Sequence, residues 1–507
     1  MRRVLLWFAL TAAVIVSLGV GVSSSSSSSS AVSITRFDGS TISAAEIDGT
    51  VTRLMKAAEV PGVGIAIFDH GKIVYLKAYG FRDKDKNLPL TVDSVMYAAS
   101  FSKVAFAYLA MELVDDGVLD LDKPVYQYLP KPLPDYANYA DLANDARYKR
   151  ITARMLLDHT SGFANYRWIE EDRKLRIHFE PGSRFAYSGE GINLLQLVVE
   201  TITKKPLDEL MQERVFQPLE MTRTSMVWQE RFESDYANGY DEYGRFLGAQ
   251  KRNKADAAGS MVTTVADFAR FMQAVMAGTL LRPKTREQMF SPQIQIRSKH
   301  EFPTLSDETT DENKAIRLSY GLGWGLYWTP YGEAFFKEGH DTAWRNYTVC
   351  LDQQKTGIVI MTNSGNGEGI FKDLLETLLK DTFTPIEWEG YTPYDELPPR
   401  EPLKVHKQVA VDPKVLGRYG LPPNIIQSNI IQSNIILTVR REGDHLSVQE
   451  SVQGSDEAKQ DLLAESETQF FSTTADDVYS FETDSQGHVT AMVLHTDGKD
   501  IPIKRIE

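Results

Sequence analysis

Residues 97–106 read Tyr97-Ala98-Ala99-Ser100-Phe101-Ser102-Lys103-Val104-Ala105-Phe106, and a serine and a lysine three apart share one face of a helix. A hydroxyl attacks a carbonyl usefully only when a neighbour takes its proton, and a neutral, desolvated lysine amine can do that. The apolar run predicts a helix from Ser100 to Val114, capped by Gly117. A serine at a helix start also offers its own backbone N–H, free of an intrahelical partner, as half of an oxyanion hole. The chain holds no other Ser-x-x-Lys, and this one lies in an apolar stretch, not on a charged, solvated face.

Working outward from that helix, Val63 to Phe68 and Ile73 to Leu76 read as two strands joined by the turn Asp69-His70-Gly71-Lys72. The region from Lys123 to Met276 reads as helix-rich, with breaks at Pro181-Gly182 and Pro218-Leu219. Strands resume at Gly321 to Trp328, Tyr347 to Leu351 and Gly357 to Thr362, and Ile370 to Leu379 reads as an amphipathic helix. Strands at both ends with helices between predict one discontinuous α+β domain over residues 42–384. Proline and charge accumulate over 385–413, the composition of a linker, and 414–507 carries short strands between turn residues, the pattern of a small antiparallel β-domain. Within it Asn424-Ile425-Ile426-Gln427-Ser428 recurs as Asn429 to Ser433, a duplication expected to form a loop.

A chain of 507 residues with 42% hydrophobic and 24% charged residues can bury a large core. Its net charge of −14 speaks against a nucleic-acid partner, which needs a basic stripe. Met1-Arg2-Arg3, an uncharged run from Val4 to Val22 and the serines Ser23 to Ser30 together read as an export leader over residues 1–30. The run is also about as long as a membrane span, so attachment through residues 4–22 is the other reading. An exported chain would work in the periplasm or outside the cell. The one cysteine, Cys350, permits no internal disulfide, and no Cys/His cluster or His-Glu-x-x-His suggests a metal.

Several further segments fit one pattern: Pro61-Gly62-Val63, Leu156-Leu157-Asp158-His159-Thr160-Ser161-Gly162, Phe185-Ala186-Tyr187-Ser188-Gly189-Glu190-Gly191, Pro218-Leu219-Glu220-Met221, Tyr320-Gly321-Leu322-Gly323-Trp324 and Met361-Thr362-Asn363-Ser364. As an ordered set they resemble the serine β-lactamase and penicillin-binding-protein superfamily, in its class C-like branch with DD-peptidases and esterases, over about Ile47 to Phe383. The resemblance implies a β-lactamase/transpeptidase-like antiparallel sheet flanked by helices, a lipocalin-like C-terminal appendage, Ser100 as nucleophile with no cofactor, and a small-molecule or peptide substrate. It implies that Tyr187 joins Lys103 in moving the proton. The family pattern often has asparagine two residues after that tyrosine to bind a substrate amide; Gly189 stands there, with Glu190 beside it.

The family's third element is a Lys/His-Thr/Ser-Gly strand. Lys355-Thr356-Gly357 matches literally, but its neighbours place it in a hairpin turn. The better match is Gly339-His340-Asp341-Thr342-Ala343-Trp344-Arg345-Asn346-Tyr347, which resembles the His-x-Gly version of esterase-like members. That alignment implies a catalytic His340, Ala343 N–H as second oxyanion donor, and Asp341 and Thr342 facing substrate with Gly189 and Glu190. His159 reads as structural. The leading expectation is an exported serine hydrolase acting through a Ser100 acyl-enzyme on an ester, amide, peptide or β-lactam. The alternative, from another class, is a non-catalytic penicillin-binding-like protein of the cell envelope.

Overall fold

The computed structural model describes residues 33–170, 172–397, 412–420 and 436–506, with short breaks inside the last span. Residues 1–30, expected to be an export leader, and the Asn424–Ser433 duplication lie outside the described residues. Among those described, no helix is long and apolar enough to cross a membrane.

Near-continuous apolar runs make the central strands, as expected of a sheet covered on both faces. In chain order these are β1 (Gly62–Asp69), β2 (Lys72–Asp83), β3 (Leu88–Pro89), β4 (Ile294–Gln295), β5 (Ser319–Tyr320), β6 (Gly325–Thr329), β7 (Gly332–Asp341), β8 (Trp344–Leu351) and β9 (Thr356–Thr362). They form one nine-stranded sheet in the order β4-β5-β6-β7-β8-β9-β1-β2-β3. The N-terminal hairpin closes this sheet by pairing β1 antiparallel with β9, Val63 opposite Thr362 and Phe68 opposite Gly357. Alternate residues serve opposite faces. Ile65, Ile67, Phe336 and Ile360 pack under helices α1 (Ala44–Ala57) and α5 (Phe371–Leu378), and Ala66, Phe68, Phe335 and Met361 pack under α2 (Phe101–Asp115) and α4 (Val265–Ala277). Helix α3 (Gly189–Thr203) and a set of short helical turns make the remaining lobe on the α2 side. α2 is buried almost all round, from Phe101 to Leu113, so it is a core helix with its N-terminus aimed at the sheet.

Three boundaries differ from the sequence reading. The domain begins before residue 42: Ser33–Thr35 pairs with Thr41–Ser43, and Phe37, buried, donates its N–H to the Leu379 carbonyl at 2.9 Å. The expected linker does not begin at residue 385, because Ile386, Trp388 and Tyr391 are buried in the core of the α+β domain; their aromatic and aliphatic bulk outweighs the surrounding prolines. The strand expected from Tyr347 begins at Trp344: β7 ends at Asp341, and a two-residue turn at Thr342-Ala343 leads into β8, with Asp341 opposite Trp344.

The C-terminal strands are β10 (Gly417–Gly420), β11 (Ile436–Glu442), β12 (His445–Val452), β13 (Ser455–Ala464), β14 (Gln469–Ser472), β15 (Val478–Thr483), β16 (Val489–Thr496) and β17 (Lys499–Arg505). Each pairs antiparallel with the next, and β10 also pairs with β17, so the sheet closes into an eight-stranded barrel. Leu437 and Val439, Leu446 and Val448, and Tyr479 and Phe481 point inward at the period of two that a strand imposes, and fill the interior.

Candidate active site

Ser100 is the N-cap residue of α2, and Ala99 before it has a left-handed φ of 46°. Such backbone costs on the order of 1–3 kcal/mol in a non-glycine residue and turns the chain sharply into the helix. Phe101 and Ser102 donate their N–H groups to the Ala98 and Ala99 carbonyls, while the Ser100 N–H has no acceptor among the described residues. One turn on, Lys103 is 1% exposed, and its Nζ donates to Ser100 Oγ at 3.0 Å and to the Ala258 carbonyl at 2.7 Å. Burial, reinforced by the charge of Lys337, pushes the Lys103 ammonium down to about 7. Near neutral pH a large fraction of this lysine is a free amine.

Tyr187 lies beside both groups: its phenol is close enough to the Ser100 hydroxyl to feel it electrostatically, and Lys103 Nζ lies 5.0 Å from its ring centroid. Its position is set by the turn at His159. The His159 carbonyl accepts the Ala186 N–H at 2.8 Å, and His159 Nδ1 accepts the Ser188 N–H at 3.2 Å. Burial and two nearby lysines keep this imidazole neutral, as an acceptor at Nδ1 requires. Burial first, then the Glu338 charge, raises the Tyr187 phenol well above its usual range, so it is un-ionised.

The strand facing Ser100 is β7, but the residue it presents is Lys337, which the sequence reading passed over. Lys337 is fully buried; its Nζ donates to Tyr187 Oη at 3.0 Å, to the Glu338 carbonyl at 3.1 Å and to the Glu338 carboxylate. Gly339, two residues on, allows the close approach: a Cβ there would stand 2.7 Å from the Ala98 carbonyl oxygen. Lys337-Glu338-Gly339 thus occupies the place assigned to His340. The signal available in sequence was the Lys-x-Gly spacing itself; glutamate at its centre disguised it. Behind Lys337, carboxylate oxygens of Glu301, Glu338 and Glu389 lie within 4.8 Å of one another, all buried. Burial first, then Glu338, raises Glu301 and Glu389 well above the usual carboxyl range, which leaves Glu338 as the ion partner of Lys337.

Of the other expected site residues, His340, Asp341 and Glu190 line a cavity walled by Tyr166, and Gly189, Thr342 and Ala343 do not. The His340 side chain is 49% exposed, pairs with Glu368 at 3.3 Å and stacks on Tyr391, on the face opposite Lys337. Ala343 and Thr342 form the hairpin turn; six residues from Lys337 is about 20 Å along a strand. Asp341 uses a carboxylate oxygen on the Thr342 N–H at 2.7 Å. Gly189 donates its N–H to Asn165 Oδ1 at 3.0 Å. The Glu190 carboxylate is consumed by Arg167, at 2.8 Å to Nε and 2.5 Å to the terminal nitrogen, with both side chains 2% exposed. Of these six residues, Glu190 has its carboxylate taken up by Arg167, while His340 keeps a backbone N–H on the open edge of β7. Lys355 is in the expected turn, with a left-handed φ of 55°, but it is half-buried and its ammonium bonds the Met276 carbonyl.

The sequence pattern of the Beta-lactamase family matches residues 47–380. The chain belongs to the beta-lactamase family. It is 25% identical over 296 residues to a beta-lactamase of Pseudomonas fluorescens, covering 58% of this chain and 78% of that one. It is 26% identical over 217 residues to Protein flp of Staphylococcus aureus, spanning 40% of this chain and less than half of flp, 42%. Among solved structures, the octameric penicillin-binding protein homologue from Pyrococcus abyssi aligns over 92% of this chain and 99% of its own, with TM-score 0.54 and 21% identity. The D-alanine carboxypeptidase AmpC from Burkholderia cenocepacia aligns over 63% and 95%, with TM-score 0.51 and 24% identity. At those identities the two structures share the beta-lactamase fold, and nothing finer follows from them.

Proposed function

We propose that this beta-lactamase family member is an exported serine hydrolase that works through an acyl-enzyme on Ser100. The observation that carries the reading is the 3.0 Å contact between Ser100 Oγ and a buried Lys103 amine whose proton is held only to about pH 7. Lys103 takes the hydroxyl proton as Oγ bonds to the substrate carbonyl carbon. Tyr187, an un-ionised phenol held by Lys337, relays a proton to the leaving oxygen or nitrogen as its bond to that carbon breaks. Water then attacks the acyl carbon by the same steps in reverse.

One oxyanion donor is the Ser100 N–H. The other is the His340 N–H and not that of Ala343. A two-residue hairpin closes on a hydrogen-bonded pair and antiparallel pairs alternate, so with Asp341 opposite Trp344 the His340 N–H points away from β8. On that side β6 has already ended, at the pair Gly325–Phe336, and the edge is open. Donors of this kind are worth about a hundred- to a thousandfold in rate.

An ester or a compact amide suits a site with no side chain at residue 189. The similarity to a beta-lactamase and to a carboxypeptidase makes β-lactams and D-amino-acid peptides the next substrates to try. Export rests on the Met1–Ser30 sequence pattern, with attachment through residues 4–22 if the leader is kept. The barrel, with its sequential up-and-down strand order, is read as a lipocalin-like appendage. The assembled Ser100, Lys103, Tyr187 and Lys337 set weighs against a merely binding role. Intact-mass spectrometry after incubation with p-nitrophenyl acetate or a fluorescent penicillin tests the reading: one acyl adduct on Ser100 is expected, and adduct formation at the wild-type rate in Ser100→Ala would refute it.

A further inference from the structure

The cavity beside Ser100 has an aromatic wall that the catalytic steps do not use. It holds about 650 Å³ and is lined by Tyr97, Tyr136, Tyr139, Tyr166 and Trp168, among other residues. Charged side chains, among them Arg252, Asp256 and Asp341, complete the lining, and none of Ser100, Lys103, Tyr187 and Lys337 belongs to it. It adjoins the catalytic lysine and the proposed oxyanion strand: Lys103 Nζ is 5.9 Å from the Tyr166 ring centroid, the Ala258 carbonyl that holds Lys103 precedes Gly259 in the cavity lining, and His340 is part of that lining.

Tyr166 is fixed there from three sides. A Cβ on Gly189 would stand 2.5 and 2.6 Å from its ring carbons and 2.9 Å from its hydroxyl oxygen, so the ring occupies the space of any side chain at the head of α3. Asn165 before it accepts the Gly189 and Glu190 N–H groups, each at 3.0 Å. Arg167 after it is clamped by Glu190. Its ring stacks on Trp168 at 3.9 Å and 10°, and Trp168 is 47% exposed. An anchored stack with open aromatic surface is a place where a flat ring gains contact without reordering the protein.

We infer that Tyr166 is a specificity-determining residue, and that the cavity it walls takes a flat aromatic group on the acyl side of the substrate, in place of an acylamino group gripped from residue 189. The inference rests on the acyl-enzyme reading, since the retained acyl group is the one opposite the leaving-group side. The test compares kcat/KM for p-nitrophenyl phenylacetate, cyclohexylacetate and acetate in the wild type, Tyr166→Phe, Tyr166→Ala and Gly189→Ala. The phenylacetate-to-acetate ratio is expected to fall roughly tenfold or more in Tyr166→Ala and in Gly189→Ala, which must displace the ring, and to survive in Tyr166→Phe. An unchanged ratio in a Tyr166→Ala protein with native circular dichroism, or cyclohexylacetate turned over as well as phenylacetate by the wild type, would overturn it. Calorimetric binding of phenylacetate to Ser100→Ala, and its loss in Ser100→Ala/Tyr166→Ala, reads the cavity without catalysis. Absent acylation in the wild type with this binding intact would sink the acyl-enzyme reading alone; equal binding by the two variants would sink this one.

Discussion

At the scale of single residues, the electrostatics divide labour between two groups that could each serve as base. Burial lowers the lysine and raises the tyrosine, since both shifts disfavour the charged form. The neutral amine is therefore abundant near neutral pH and the phenolate is not. Acylation should rise with pH through about 7, as Lys103 loses its proton, and fall away below it. A pH profile of kcat/KM on one ester checks this; a rate that shows no limb near 7 and rises only in strong alkali would assign the base to Tyr187. Lys337 and His340 are three residues apart, yet one side chain is fully buried at Tyr187 and the other half-exposed at Glu368. Lys337→Ala should lower kcat/KM by roughly a hundredfold or more. His340→Ala, which keeps the backbone N–H, should change it by no more than a few fold. Parallel kinetics of the two decide between the alternative registers of β7.

At the scale of elements, the site is where the N-terminus of α2, the open edge of β7 and the segment before α3 converge. The last of these is held by a charge pair. Arg167 and Glu190 are both almost completely buried, and Arg167 also donates to the Asn138 carbonyl at 2.7 Å. Removing one member of such a pair leaves the other uncompensated, at a cost of about 3–5 kcal/mol. Glu190→Gln should therefore shift the denaturant midpoint by several kcal/mol equivalents; a variant as stable as the wild type would return Glu190 to the role of an available substrate contact.

For the molecule as a whole, three apolar clusters account for the packing, two on the faces of the nine-stranded sheet and one inside the barrel. The barrel cluster draws only on Val415 to Ile503, and the other two draw on nothing beyond Tyr394. Units with separate cores generally unfold separately. Truncation after residue 397 should leave a folded protein that acylates at near the full-length rate, and calorimetry of the whole chain should show two transitions. A single shared transition, or an insoluble truncation product, would show that the two units depend on each other.

What the sequence determined by itself was local or ordered along the chain. The Ser100–Lys103 pair was legible because helical spacing puts i and i+3 on one face. Tyr187 came from its position in an ordered set of motifs, and the C-terminal strands from short runs set between turn residues. The tertiary structure decided which residue of β7 faces Ser100. A one-residue change of register exchanges the faces of a strand, and the sequence reading weighed the His340 segment only against Lys355-Thr356-Gly357, passing over Lys337-Glu338-Gly339. It also decided that Glu190 is spoken for, because Arg167 lies 23 residues away in sequence and meets it only when the segment folds over α3. The same holds for Tyr166 in the space beside Gly189: a glycine's missing side chain says that something comes close, and only the packed chain says what.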